Sequence, residues 1–246
     1  MRVLGFMTIH YGVEYLECSL KSIVNSVDKM VVAYSRNPSH GHSTSVSCPD
    51  KESDILNICQ KVLGDKLIWV AKDSFDNESQ HRAVKYEFAF GFDLVLSIDA
   101  DEVFKEDEIK PALEFAYNNP ERYYGINGYI NLWRSFSYAC YDGFRPIRIE
   151  KVMANNTLQN LNCPLTIWHF STCQSQPLMN YKYKVFGHAS EVRDNWLEDI
   201  YYSWTPSNQF DDVHVVSLKL WNPVPYDKNL MPEYLKNHPN FNQNIV

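Results

Sequence analysis

The sequence predicts an α/β protein whose mixed sheet is flanked by helices. Up to residue 122, short apolar runs alternate with amphipathic segments, the pattern of a doubly wound, mostly parallel sheet. From Tyr123 onward the chain is rich in aromatic and β-branched residues, in runs typical of strands. The 246 residues, 45% of them hydrophobic, suffice for one large domain with a substantial core.

The first half divides into alternating elements. Apolar runs predict strands at residues 3–9, 30–34, 67–71 and 94–98. Apolar residues at helical spacing predict a helix at residues 13–27, and Ser53 and Gly64 delimit a second helix at residues 54–63. Further helices are predicted at residues 83–90 and 106–118. We expect residues 1–122 to form a ligand-binding half of the domain.

The second half is expected to complete the same domain. Strands are predicted at residues 123–136, 144–153 and 165–171, and a helix is predicted around Lys182 and Lys184. Residues 123–203 would form this half. Five prolines lie between residues 204 and 246, which predicts an irregular C-terminal tail.

Three carboxylates, Asp99, Asp101 and Glu102, follow the predicted strand at 94–98. Open α/β sheets bind ligands at the carboxyl ends of their strands, so these acids lie where a ligand is expected. Asp99 and Asp101 would point the same way in an extended chain and suit a hard divalent ion that also binds phosphate. The pair lacks an evident counter-charge, which favours a metal. Alternatively, Asp101 caps the next helix.

Two more polar residues are expected at the same edge of the sheet. His10 lies in the loop after the first strand, and Arg82 near the start of the helix that precedes the acidic strand. A helix N-terminus that carries an arginine favours a phosphate group. The alternative for Arg82 is an exposed polar helix start.

Composition argues against several functions. The formal net charge is −7 and dense Lys/Arg clusters are lacking, which disfavours a dedicated nucleic-acid binder. The six cysteines form no C-x-x-C pair, so free thiols and no zinc site are expected. The first apolar run is too short for a signal peptide, and none is long enough to span a membrane. A soluble, cytoplasmic protein is expected.

The acidic stretch resembles a known family. Residues 96–102, Leu-Ser-Ile-Asp-Ala-Asp-Glu, are similar to the strand and D-x-D motif of glycosyltransferases with the GT-A fold, close to family 2 and its bacterial and viral relatives. Residues 168–171, Trp-His-Phe-Ser, with Lys184 and residues 186–191, resemble the C-terminal part of family 17 β-1,4-N-acetylglucosaminyltransferase-like enzymes. The resemblance covers residues 2–192.

The resemblance implies transfer of a sugar from a nucleoside-diphosphate sugar, with Mn²⁺ or Mg²⁺ offsetting the charge of the leaving diphosphate. Asp99 and Asp101 would hold the metal, with His169 or His188 as a further ligand.

The same resemblance implies donor contacts from His10, Arg82, Asp99 and Ser35. Family 2 members often carry an aspartate that binds uracil after the second strand. Ser35-Arg36-Asn37 stands there in this chain, so the base of the donor is not specified.

Inverting transfer needs a carboxylate to accept the proton of the acceptor hydroxyl. Asp142, Glu191 and Glu102 are the candidates, and retention without a base is the alternative. The acceptor is expected to be a glycan or a lipid-linked saccharide, since aromatic strands offer a platform for sugar rings. Some viral relatives instead glycosylate hydroxymethylated bases in DNA.

Two other functions remain open from the sequence. A nucleotidyltransferase uses a similar sheet and metal, but it usually needs a glycine-rich loop after the first strand, which residues 8–12 lack. A non-catalytic sugar-binding protein is the other alternative, and the acids together with Arg82 argue against it.

Overall fold

The computed structural model describes residues 1–141, 143–153, 160–208, 210, 212–216 and 221–243. The strands are β1 (Val3–Ile9), β2 (Lys29–Ser35), β3 (Leu67–Lys72), β4 (Leu94–Ser97), β5 (Glu102–Phe104), β6 (Tyr123–Trp133), β7 (Tyr138–Cys140), β8 (Ile147–Lys151), β9 (Asn160–Thr172) and β10 (Val224–Pro225). The α-helices are α1 (Val13–Ile23), α2 (Glu52–Leu63), α3 (Glu78–Ala83), α4 (Lys85–Phe88), α5 (Glu106–Asn118), α6 (Gln176–Val185) and α7 (Glu233–Lys236).

The sheet is mixed, which confirms the predicted fold class. Its main order is β10-β7-β6-β8-β4-β1-β2-β3, and β9 pairs with both β5 and β6. Strands β3, β2, β1 and β4 run parallel. Val3 and Met7 of β1 pack into one core, whereas Leu4 and Phe6 pack into a second. Successive side chains of a strand point to opposite faces, so this part of the sheet is covered on both sides.

The acidic segment differs from the extended stretch that the sequence predicted. The amide of Glu102 donates to the carbonyl of Asp99 over 3.1 Å, which closes a turn. The chain then enters β5, a short strand that the sequence did not predict, before α5 begins at the predicted residue. Because a turn separates Asp99 from Asp101, the two side chains have different partners.

The second half of the chain joins the same sheet. Strand β8 lies antiparallel between β4 and β6, and β9 runs parallel to β6 but antiparallel to β5. His169 of β9 is in register with Asn131 of β6 and with Glu102 of β5. The sheet therefore places residues from positions 131 and 169 beside the acidic turn.

The described part of residues 204–243 packs against the rest of the protein. Strand β10 pairs with β7, and Met231, Leu235 and Phe241 are buried in a cluster that includes Tyr15. The His238 ring stacks on Tyr15 with 4.8 Å between ring centroids. No helix within the described ranges is long and apolar enough to cross a membrane.

We expect Leu235→Ala to lower the free energy of unfolding by about 2–5 kcal/mol, because it empties a site in a packed core. Leu235 is 0% exposed, whereas Leu230 in the same segment is 65% exposed. Leu230→Ala, the matched control, should change stability by less than about 0.5 kcal/mol. Urea denaturation measures both, and equal effects would contradict the packing of this segment.

Candidate functional site

A cleft opens at the carboxyl ends of the parallel strands. It is lined by the loops after β1 and β2, by α3, by the acidic turn and by residues near α6: Thr8, Ile9, His10, Tyr11, Gly12, Pro38, Ser39, His40, Glu78, His81, Arg82, Asp99, Ala100, Asp101, Gln174 and Val185. Four residues selected from the sequence, His10, Arg82, Asp99 and Asp101, lie together in it. Clefts at this edge of a parallel sheet are the usual ligand sites of such folds.

Gly12 brings the loop after β1 against the acidic turn. Its φ is +126°, and a Cβ placed there would lie 2.8 Å from the Cβ of Ala100. Its amide donates to Asp50 over 2.6 Å. Both the backbone angle and the close approach require glycine here, so this loop and the acidic turn form one wall of the cleft.

Asp99 is paired with two arginines. Its Oδ2 accepts from Nη2 of Arg148 over 2.8 Å, and its Oδ1 lies 3.9 Å from Nη1 of Arg82. Burial opposes the charged form of Arg148, but Glu102 and Asp99 outweigh it and hold the pKa of the guanidinium well above its usual value. Arg82 also pairs with Glu78 over 2.7 Å.

Glu102 is fully buried. Its Oε1 accepts from Arg148 over 2.5 Å and from the Tyr129 hydroxyl over 3.0 Å. Its Oε2 accepts from Nε of Arg148 over 2.8 Å and from the amide of Asp99 over 3.2 Å. With both oxygens occupied and no exposure, Glu102 is not placed to take a proton from an acceptor. Its contacts fix Arg148 and the acidic turn.

Asp101 is paired with Lys182 of α6. Its Oδ2 accepts from Nζ of Lys182 over 2.9 Å and from Nε2 of Gln174 over 3.0 Å. Burial raises the pKa of this carboxyl, but Lys182 and His169 outweigh it, and the pKa falls to about 2. The expectation that Asp99 and Asp101 lack a counter-charge is therefore wrong.

His169 lies on the far side of Asp101. Its Nδ1 donates to Oδ1 of Asn131 over 2.8 Å, and its Nε2 is 3.8 Å from Oδ1 of Asp101. Burial lowers the pKa of His169 despite the nearby carboxylates. The described residues contain no group of three or more His, Cys, Asp or Glu side chains that could hold a metal ion. Asp99, Asp101 and His169 therefore do not come together as a three-residue metal site in the structure.

A smaller ligand set for a divalent ion would consist of the two aspartates alone. Each aspartate keeps its Oδ1 outside the short contacts with Arg148 and Lys182. Protein-bound Mg²⁺ is commonly held by one or two carboxylates together with substrate phosphates. A metal here would depend on Asp99, Asp101 and a bound diphosphate.

His10 and Ser35 are occupied by contacts within the protein. Nδ1 of His10 donates to the carbonyl of Ser35 over 2.7 Å, and its Nε2 accepts from the Tyr181 hydroxyl over 2.6 Å. Burial lowers the pKa of His10, so its ring stays neutral near pH 7. Ser35 is buried, and its hydroxyl donates to the carbonyl of Asn37. The Ser35 side chain is thus not among the residues that line the cleft.

A second pocket lies on the other side of the Asp101–Lys182 ion pair. Strands β6 and β9, helix α6 and later segments line it: Tyr129, Asn131, Phe144, His169, Ser171, Thr172, Lys182, Tyr183, Phe186, His188, Glu191, Trp196, His214, Val215, Val216 and Trp221. Oε1 of Glu191 lies 3.1 Å from Nδ1 of His188. Asp142, the remaining candidate base, lies outside the described residues.

The sequence alone did not identify the basic residues that form ion pairs with Asp99 and Asp101. Arg148 and Lys182 lie 49 and 81 residues after their aspartates, and the local pattern around each has no feature that identifies its partner. Gln174 was missed as well. Its Oε1 is buried without a hydrogen-bond partner in the part of the chain that the structure describes.

Comparisons with known proteins give a slight likeness to solved structures. No protein-family model matches the chain, and no curated protein matches it. The chain is similar to S. aureus TarS 1–349, with 18% identity and a TM-score of 0.38, over 52% of this chain and 36% of that one. For a second structure of TarS the share of that chain is 22%. The matched region spans well under half of either TarS chain.

Complexes of TarS 1–349 match to the same degree. The complex with UDP has a TM-score of 0.38, and the complex with UDP-GlcNAc has a TM-score of 0.37 at 19% identity. Similarity of this degree does not assign a function to this chain.

We expect the Asp101–Lys182 pair to make the free energy of unfolding depend on pH in the acidic range. The pKa of Asp101 is about 2 in the folded protein and about 3.9 in an unfolded chain. The pair's contribution is therefore fully present above about pH 4 and is lost as the pH falls toward about 2. In Lys182→Met the free energy of unfolding should fall less over this range than in the parent protein.

Urea denaturation at a series of pH values measures this difference. Lys110→Met is the control, because Lys110 lies 4.0 Å from Glu114 on the surface, with 82% of its side chain exposed. The same pH dependence in the parent protein and in Lys182→Met would show that the pair does not lower the pKa of Asp101.

Proposed function

We propose that this protein is a glycosyltransferase that moves a sugar, hexosyl or pentosyl, from a nucleoside-diphosphate sugar to a hydroxyl acceptor. The observation that carries the proposal is the pairing of Asp99 and Asp101 with bases at the cleft. This cleft lies at the edge of the sheet where nucleotides bind in related architectures. An aromatic pocket lies on the other side of Asp101 from this cleft. A donor in the cleft and an acceptor in the pocket would therefore meet near Asp101.

The charges around the acidic turn favour a diphosphate donor that binds together with a divalent cation. Four carboxylates, those of Glu78, Asp99, Asp101 and Glu102, are contacted by three bases, Arg82, Arg148 and Lys182. The balance is one negative charge, and a diphosphate would add more. A divalent ion, Mn²⁺ or Mg²⁺, held by Asp99, Asp101 and the diphosphate would offset two of these negative charges.

The protein's own groups would act on the leaving diphosphate and on the acceptor. Arg82 would place fixed positive charge at the cleft. The acceptor oxygen bonds to the anomeric carbon, and the bond from that carbon to the diphosphate oxygen breaks, with its electron pair leaving on the diphosphate. The acceptor proton passes to a base, for which Glu191 in the aromatic pocket is the candidate among the described residues.

Arg82→Ala should weaken the binding of UDP about tenfold, because it removes positive charge from the cleft. UDP is the probe because it carries the diphosphate without the sugar. Isothermal calorimetry of parent and variant tests this expectation. Arg2→Ala is the control, since Arg2 is an exposed arginine that donates to the carbonyl of Gly91 outside the cleft. Equal affinity in Arg82→Ala and the parent would remove Arg82 from the donor site.

Mn²⁺ should tighten the binding of UDP, and EDTA should abolish this gain. Asp99→Asn and Asp101→Asn should each reduce the gain, since each removes a carboxylate ligand. Asp73→Asn serves as the matched control, because Asp73 lies on the surface with 85% of its side chain exposed. If UDP binds equally well in EDTA and in Mn²⁺, the diphosphate is held by the basic residues alone.

A further inference from the structure

We propose that the second pocket binds a neutral saccharide as the acceptor. The proposal deepens the function proposed above and rests on it. Three properties of the pocket support it: aromatic walls, a buried polar group without a partner, and the near absence of unpaired positive charge.

The pocket has aromatic side chains on several sides. Tyr129 and Phe144 meet edge to face with 5.7 Å between ring centroids, and Phe144 is 54% exposed. Trp196, Trp221 and Phe186 line other parts of it. Aromatic faces provide large apolar area at low entropic cost, and the C–H faces of sugar rings pack on such surfaces. This composition matches a ligand that has both apolar faces and hydroxyl groups.

Asn131 supplies a polar group that lacks a partner within the described residues. It is 3% exposed. Its Oδ1 accepts from His169, but its Nδ2 has no hydrogen-bond partner there. A buried donor left unpaired costs about 1–3 kcal/mol, and a ligand hydroxyl at this position would remove that cost. Glu191 and Ser171 add oxygen atoms to the same lining.

The charge of the pocket favours a neutral ligand over nucleic acid. Lys182 is the only lysine or arginine among the described lining residues, and Asp101 already pairs with it. His188 likewise faces Glu191. DNA binding depends on neutralising several phosphates with Lys and Arg. The described lining offers no such set, so a hydroxymethylated base in DNA is the less favoured acceptor.

The position of the pocket explains how such an acceptor would reach the donor. His169 and Lys182 line the pocket and contact Asp101, which lines the donor cleft. Asp101 on one side and His169 and Lys182 on the other therefore separate the two cavities. An acceptor hydroxyl beside Asn131 and His169 would lie next to the end of the donor cleft.

Saturation-transfer NMR with methyl glycosides tests the proposal without any donor. The probes are the methyl α- and β-glycosides of glucose, galactose, mannose and N-acetylglucosamine, together with a single-stranded oligonucleotide that contains 5-hydroxymethylcytosine. At least one glycoside should bind. Phe144→Ala should raise its dissociation constant about fivefold, because a stacking face is lost. Phe144→Trp should restore binding.

Phe90→Ala is the matched control, because Phe90 is 97% exposed and does not line the pocket. No binding by any glycoside would overturn the proposal, as would a dissociation constant that Phe144→Ala leaves unchanged. Binding of the oligonucleotide alone would also overturn it and assign DNA as the acceptor. UDP affinity, measured on the same samples, reports separately on the donor site. If the parent protein does not bind UDP but does bind a glycoside, the proposed function is refuted and the glycoside site is not.

Discussion

The site depends on one buried guanidinium. Arg148 of β8 binds Glu102 through Nε and Nη2 and reaches Asp99 with the same Nη2. Removing one partner of a buried ion pair leaves an uncompensated charge, at a cost of about 3–5 kcal/mol. The pair therefore holds the turn between β4 and β5 in one conformation. The orientation of Asp99 in the cleft follows from this contact.

The fold could be predicted largely from local patterns. The apolar run at residues 94–98 predicted β4, and α5 begins and ends at the predicted residues. The acidic turn was less accessible, because a D-x-D sequence fits an extended chain as well as a turn. The hydrogen bond from Glu102 to Asp99 distinguishes the two. The chain leaves this turn into β5, whose partner strand β9 lies some 65 residues later.

The site was predictable only in part for the same reason. His10, Asp99 and Asp101 follow strands of the first half, so their convergence follows from the parallel sheet. Arg82 instead lies in the last turn of α3, not at the helix start that the sequence predicted. Their partners come from elements whose spatial positions the sequence does not state. Lys182 of α6 reaches Asp101 across 81 residues of sequence. Glu102, a candidate base from its position beside the aspartates, is instead buried beneath them.

The contact between α1 and the last described residues bears on how the chain folds during synthesis. Tyr15 stacks on His238, and Glu14 accepts from Asn240, across more than 220 residues of sequence. Contacts between such distant positions form late, since loop closure must precede them. A nascent chain that already contains the whole donor cleft still leaves one face of α1 uncovered. Until residues 231–241 emerge from the ribosome, that apolar face is open to chaperones and to aggregation.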